Sequence, residues 1–449
     1  MTTININLRI ILQSLILVMV FGTILRGYTG ALYGVLELFF ILIILSLSIF
    51  YYADKNKEYN LDYSSYWYLA FLLYLILHLV VATIMRSIDY SEDVEFYSFI
   101  LAGLFEFKVS SFTYLFPLMY FVINEENQKK FESFLLIIFK ITIMYTIFEQ
   151  FLSLLGFREF FLSYMQGVIY EIHNAYSTRL GMYRVFGLIG SPHILGVLHV
   201  IGLIYTLHQK QRIWAFLSFI AVIFSTSITA YGVLIGLFGL YLLYTRNYIA
   251  ILLSSLLAAI LIIIMFQRLE YIRGISHLAE YADASAFDLF VHQIYGYYQL
   301  IANVIDPVTY INLEIGPLNL VYNYYAQNPE SLILGKGITY TFDPRHYDLV
   351  QIHNYKIFTD LFTRVSNDFY FINIFEQFGI LGILLLFINF FICPLKKMNK
   401  NNMRHVYILN AFLIATLHYS PAESFMFMMF ASYSVYALFF MPQGEKSNE

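Results

Sequence analysis

The residues best suited to chemistry in this chain are arginines that stand just ahead of broken helix starts. Arg179 and Arg184 precede the run Gly187-Leu188-Ile189-Gly190-Ser191-Pro192-His193, where glycine and proline interrupt an apolar stretch. A helix start favours negative charge, and a guanidinium adds bidentate contacts to phosphate that lysine cannot make. The chemistry this suits is the holding of a phosphate-type anion. The competing reading is nonspecific contact with lipid phosphates. His193 lies in an apolar helix, where a hydrogen-bonded structural histidine is the simpler assignment.

A second group closes a long polar segment. It runs through Leu334-Gly335-Lys336-Gly337, Arg345-His346, His353-Asn354-Tyr355, Arg364 and Asn367-Asp368-Phe369-Tyr370. It then enters an apolar run at Phe375-Glu376-Gln377-Phe378-Gly379-Ile380-Leu381-Gly382. A carboxylate or histidine here could accept a proton from a hydroxyl, and an arginine could stabilise a departing phosphate. Asp368 also suits a helix N-cap, and one residue can do both. His346 and His353 have a plain alternative as solvated loop residues. A third set is charge inside apolar stretches: Glu37, Glu106, Lys108, Lys140 and Glu149. Such charges usually face a cavity. His418-Tyr419-Ser420-Pro421-Ala422-Glu423 forms a short turn that could rim the same cavity.

The elements that must position these groups are membrane helices. The chain has 449 residues, 59% hydrophobic and 12% charged, against roughly 25% charged in soluble domains. Aromatics reach 19%, as expected for long membrane–water boundaries. The net charge of −4 offers no basic field for nucleic acid. One cysteine, Cys393, excludes disulfides and thiolate metal sites within the chain.

Candidate spans are Leu8–Leu25 (read as retained), Ala31–Tyr52, Trp67–Met85, Phe99–Ile123, Phe134–Leu155 and Gly187–Leu207. Trp214–Tyr244 is too long for one span and reads as two short helices joined near Ser227–Thr229. Ile249–Phe266, Phe369–Ile392, the short Val406–Leu417 and Phe425–Met441 follow, about twelve in all.

Lys55, Lys57, Lys129, Lys130, Lys210, Arg212, Arg246, Lys396, Lys397, Lys400 and Arg404 fall in alternate loops, which makes those loops and both termini cytoplasmic. Arginine in the outward loops (Arg26, Arg86, Arg158, Arg179, Arg184, Arg268, Arg273, Arg345 and Arg364) runs against that bias. The expected fold is therefore all-α and polytopic. Residues 1–267 carry the N-terminal helices and an outer loop at 156–186. Residues 268–368 form a large, partly helical extracytoplasmic loop of about 100 residues, and residues 369–449 the C-terminal helices. The loop's many tyrosines argue for an ordered cap.

No nucleotide-binding glycine loop, His-Glu-x-x-His or Gly-x-Ser-x-Gly occurs. The topology and three local motifs resemble the O-antigen polymerase (Wzy) family and its relative, the O-antigen ligases. The motifs are Arg184-Val185-Phe186-Gly187 with Ser191-Pro192, Leu334-Gly335-Lys336-Gly337, and Asn367-Asp368-Phe369-Tyr370 through Glu376, Gly379 and Gly382. Ligases usually carry His-Asn where this chain has Asn367-Asp368; His353-Asn354 lies too far upstream to correspond. That departure favours polymerase.

The resemblance implies a metal-independent, cofactor-free glycosyltransferase in a bacterial inner membrane. It acts on undecaprenyl-pyrophosphate-linked glycan, has membrane lipids around it, and has a chain-length regulator protein as a further candidate partner. Arg179 and Arg184, with Arg345 or Arg364, would neutralise the pyrophosphate, and Asp368 or His353 would accept the hydroxyl proton. Competing functions are a ligase with lipid A core as acceptor and a lipid-linked oligosaccharide flippase. The absence of two similar halves argues against the latter.

Overall fold

The computed structural model describes residues 61–89, 125–165, 178–179, 182–246, 248–273, 329–335, 370–399, 401–418 and 425–440, with Ile43 and Ser46 as isolated helical positions. The described residues are mostly helical. The spans expected at Leu8–Leu25 and Phe99–Ile123, and all of Ala31–Tyr52 except those two positions, lie outside them.

The helices are α1 (Tyr63–Asp89), α2 (Glu125–Leu152, continued by a π-helical turn at Ser153–Phe157), α3 (Arg158–Met165), α4 (Pro192–His208), α5 (Arg212–Ser225), α6 (Ile228–Tyr244) and α7 (Tyr248–Arg273). After them come α8 (Pro329–Leu334), α9 (Tyr370–Phe387, continued by a π turn at Ile388–Ile392), α10 (Cys393–Lys396), α11 (Met403–Thr416) and α12 (Phe425–Val435, continued through Tyr436–Phe440). A small antiparallel hairpin, β1 (Thr178–Arg179) with β2 (Met182–Tyr183), precedes α4. Among the described residues the expected all-α class therefore carries one minor addition, ahead of α4.

Local chemistry sets the breaks. Thr226 adopts a left-handed conformation and ends α5; the Ser227 side chain then accepts from the Ala230 N–H (3.2 Å) and caps α6. The long run at Trp214–Tyr244 is thus two helices joined by Thr226 and Ser227, both buried where the turn rests on α4. Ser191-Pro192 starts α4, so this helix begins five residues later than the apolar run at Gly187 suggests. Asp62 caps α1 by accepting from the Ser65 N–H at 3.0 Å.

Helix α4 is the hub. It is buried on almost every side and packs against α2, α5, α6 and α11. Gly196 permits the closest approach. A Cβ there would lie 2.6 Å from Ser225 Oγ and 2.7 Å from Ala230 Cβ, so the α5–α6 turn rests on it. Aromatic pairs fill the remaining core, including Phe139 on Phe430 (ring centroids 3.9 Å apart) and Phe390 on Phe412 (4.7 Å).

The lysine-rich turns gather at one end of the bundle. There Lys397 pairs with Asp62 and donates to the Leu438 carbonyl (2.6 Å), and Arg404 pairs with Glu132 at 2.7 Å. Lys140, expected to face a cavity, instead lies over the Trp214 ring (5.0 Å). Among the described residues two stretches are long and apolar enough to cross a membrane, Glu132–Leu162 and Gln377–Lys396, and there are shorter apolar helices beside them. Outward faces of α5, α6 and α7 expose large apolar side chains, among them Ile213, Phe216, Ile235, Leu252 and Leu253.

Gly379 breaks α9 with φ 60° and ψ −167°, a conformation open only to glycine. The end of α8 enters this kink. A Cβ on Gly335 would lie 2.3 Å from the Gln377 carbonyl oxygen, and one on Gly379 2.4 Å from that of Ile333. Tyr74 on α1 donates to the Leu334 and Phe378 carbonyls (3.0 and 2.7 Å), and His78 one turn on also meets the Leu334 carbonyl. Two motifs separated by more than forty positions in the chain are thus one backbone joint.

Gly335→Ala and Gly379→Ala should each cost at least about 2 kcal/mol, from a forbidden dihedral plus a backbone clash. Thermal unfolding of the purified variants checks this, with Gly239→Ala, which meets open space, as the neutral comparison. At the other end, burial raises the Asp62 carboxyl, but bonds from Lys397 and Ser65 outweigh it and hold the group below its ordinary value of 3.8. The stabilisation is present above that value and is lost as pH falls through the lowered one. Asp62→Asn should therefore lower the melting temperature at pH 7 by about 1–3 °C. The difference should vanish in strong acid.

Candidate functional site

The end of the bundle opposite the lysine-rich turns is organised by Glu149. This carboxylate sits near the top of α2 and is buried. It accepts from Arg158 Nη1 (3.0 Å), the Phe186 N–H (3.2 Å) and the Gly187 N–H (2.8 Å). A buried ion pair is favourable only when its remaining hydrogen-bonding positions are filled, and here they are. Arg158 follows nine residues later because the chain kinks at Gly156 (φ 94°) and folds α3 back. Its other amino group donates to the Arg184 carbonyl (2.6 Å), and its plane lies over the rings of Tyr183 (5.5 Å) and Phe186 (5.7 Å). The Gln150 amide, turned to suit its partners, donates to the Tyr183 carbonyl (2.9 Å) and accepts from the Tyr183 N–H (3.2 Å). Glu149, Gln150 and Arg158 together clamp residues 183–187 onto α2.

That clamp presents Arg184. The side chain is only 5% exposed, and Nη2 meets His193 Nε2 at 2.6 Å. His193 Nδ1 meets Thr229 Oγ1 (3.2 Å), which meets His418 Nδ1 (2.8 Å). The two imidazole centroids are 5.3 Å apart. Four polar side chains from the 183–190 turn and the adjoining ends of α4, α6 and α11 thus form one continuous chain. Below it Thr142, Thr146, Glu149 and Ser153 line one face of α2 at helical spacing, and Thr146 Oγ1 meets His199 Nε2 at 2.8 Å.

Comparison with known proteins gives no match: no family model fits the chain, and neither a curated protein nor a solved structure is significantly similar to it.

Of the residues singled out in the sequence, the structure places Arg184 centrally and joins His193 and His418 to it. Arg179 pairs with Met182 across the β-hairpin, and its side chain lies outside the described residues. Arg345, Arg364, His346, His353 and Asp368 also lie outside them, as do Glu37, Glu106 and Lys108. Arg158 differs from the expectation. It was grouped with outward arginines suited to phosphate, but the structure buries it against Glu149, where its charge is already matched. Glu149 likewise holds a backbone turn and an arginine, where a cavity was expected.

Thr229 was seen in the sequence only as part of a turn, and Tyr74 and His78 not at all. Polar residues four apart in an apolar helix were the signal for that last pair, because such spacing puts both on one face.

Glu149→Ala leaves the buried Arg158 charge without its carboxylate and frees two backbone donors, so it should destabilise the fold by about 3–5 kcal/mol. Glu149→Gln keeps an acceptor and should lose less. Melting temperatures of the two purified variants, read by circular dichroism, should rank in that order below the unsubstituted protein.

Proposed function

We propose that the chain is a many-span membrane protein that polymerises lipid-linked glycan, in the manner of the O-antigen polymerase (Wzy) family it resembles. The observation that carries this reading is the buried Arg184 guanidinium, which meets His193 while the Glu149–Arg158 clamp fixes its backbone, at the end opposite the lysine-rich turns. Lysine-rich turns favour the cytoplasmic side, which puts Arg184 at the outer boundary. The apolar outward faces of α5, α6 and α7 support a lipid surround, since soluble monomers rarely expose such contiguous patches. On the same reading both termini are cytoplasmic and the membrane is a bacterial inner membrane.

The reaction joins two undecaprenyl-pyrophosphate-linked glycans. A hydroxyl of the acceptor repeat unit attacks the anomeric carbon of the donor chain. The bond from that carbon to the pyrophosphate oxygen breaks, and undecaprenyl pyrophosphate departs from the opposite face with inversion. The hydroxyl proton passes to a base, for which Asp368 and His353 are the candidates. Arg184 neutralises the charge growing on the pyrophosphate, with Arg179, Arg345 and Arg364 as further candidate contacts. These cations take the part that a divalent metal plays with nucleotide sugars. A charge already in place when the leaving group forms costs no reorganisation, and a low-dielectric setting strengthens it.

The test is cellular. In cells whose surface glycan depends on this chain, Arg184→Ala should reduce polymer at least about 100-fold, leaving single repeat units. Arg184→Lys should restore little, because an ammonium lacks the bidentate fork. A normal polymer ladder from Arg184→Ala at matched protein level would sink the proposal.

A further inference from the structure

We infer that His193, Thr229 and His418 are positioning residues that lock the direction in which Arg184 points. This rests on the functional reading of Arg184 above. Arginine has no acceptor, so the 2.6 Å contact makes His193 Nε2 the acceptor. A neutral imidazole then carries its proton on Nδ1, which donates to Thr229 Oγ1 (3.2 Å). The threonine oxygen keeps its own proton and a second lone pair, so it can donate to His418 Nδ1 or accept from it (2.8 Å). Either way His193 is neutral, with its proton on Nδ1.

The lock has a mechanical purpose. Arg184 owes its backbone position to Arg158, which grips its carbonyl. Nothing in that grip sets where the long side chain points. His193 supplies that constraint from the first turn of α4, and Thr229 keeps the ring in the tautomer that can accept. His418 ties the arrangement to α11, so three helices must stand in register for the guanidinium to point one way. The charged groups around the relay are Glu149 on α2, Arg158 on α3 and Arg184 itself. A second cation on His193 would face the guanidinium directly.

The experiment measures binding of undecaprenyl pyrophosphate in detergent micelles to the purified full chain. Arg184→Ala should abolish it. Thr229→Val, which keeps the shape and loses the hydroxyl, and His193→Asn, which loses the atom facing Arg184, should each weaken it about tenfold. Thr229→Ser and His193→Gln keep the needed acceptors and should recover most of the affinity. If Arg184→Ala weakens binding while Thr229→Val and His193→Asn do not, the positioning role is wrong and the functional reading stands. If Arg184→Ala itself binds normally, that reading fails first.

Nitrogen-15 imidazole spectra of the unsubstituted protein decide the matter even if a variant misfolds. A neutral His193 protonated on Nδ1 supports the lock. The opposite tautomer on that ring, or a charged His193 at neutral pH, overturns it.

Discussion

One buried carboxylate holds the Arg184 end of this bundle together. Glu149 receives a guanidinium and two backbone N–H groups. Desolvating a carboxylate is costly, and three strong donors offset that cost only if all arrive at once. The chain therefore has to bring α3 and the 183–187 turn against the top of α2. The kink at Gly156 and the hairpin at residues 178–183 are what deliver them. Arg184 inherits its place from this arrangement, since Arg158 holds its carbonyl while Glu149 holds the next turn of backbone.

A second ion pair marks the far end of the same helix. Glu132 accepts from Arg404 (2.7 Å) and from the Tyr433 hydroxyl (2.6 Å), tying α2 to α11 and α12. The two glutamates lie 17 residues apart on α2. That is about 26 Å along a helix, close to the apolar thickness of a bilayer. Between them the helix contacts its neighbours mainly through apolar side chains and hydroxyls. Both glutamates are buried against arginines, and the stretch between them is left to packing, to Lys140 over the Trp214 ring and to small polar contacts such as Thr146 with His199.

The joint at Gly335 and Gly379 solves a different problem. A helix broken inside an apolar region leaves carbonyls without partners, which costs free energy unless another group fills the gap. The end of α8 and the Tyr74 and His78 side chains fill it. Helix α8 is thereby attached to α9 and α1. Glycine is required on both sides because the backbones come closer than any Cβ permits.

Much was determined by the sequence by itself. Runs of apolar residues had to form helices, because backbone groups buried among apolar side chains must bond within their own segment. The break after Trp214 and the clustering of lysines at alternate turns were legible for the same local reason. Arg184 ahead of a broken helix start was legible as a candidate because its type and its neighbours are both unusual. Which arginine is already matched by a carboxylate depends on the folded arrangement, and Arg158 is one that is. The tertiary structure alone brought Thr229 and His418, 189 positions apart, onto one imidazole and joined Gly335 to Gly379. Helix periodicity specifies which face a residue occupies but not which helix lies opposite. Pairings between distant segments depend on packing that no local pattern encodes.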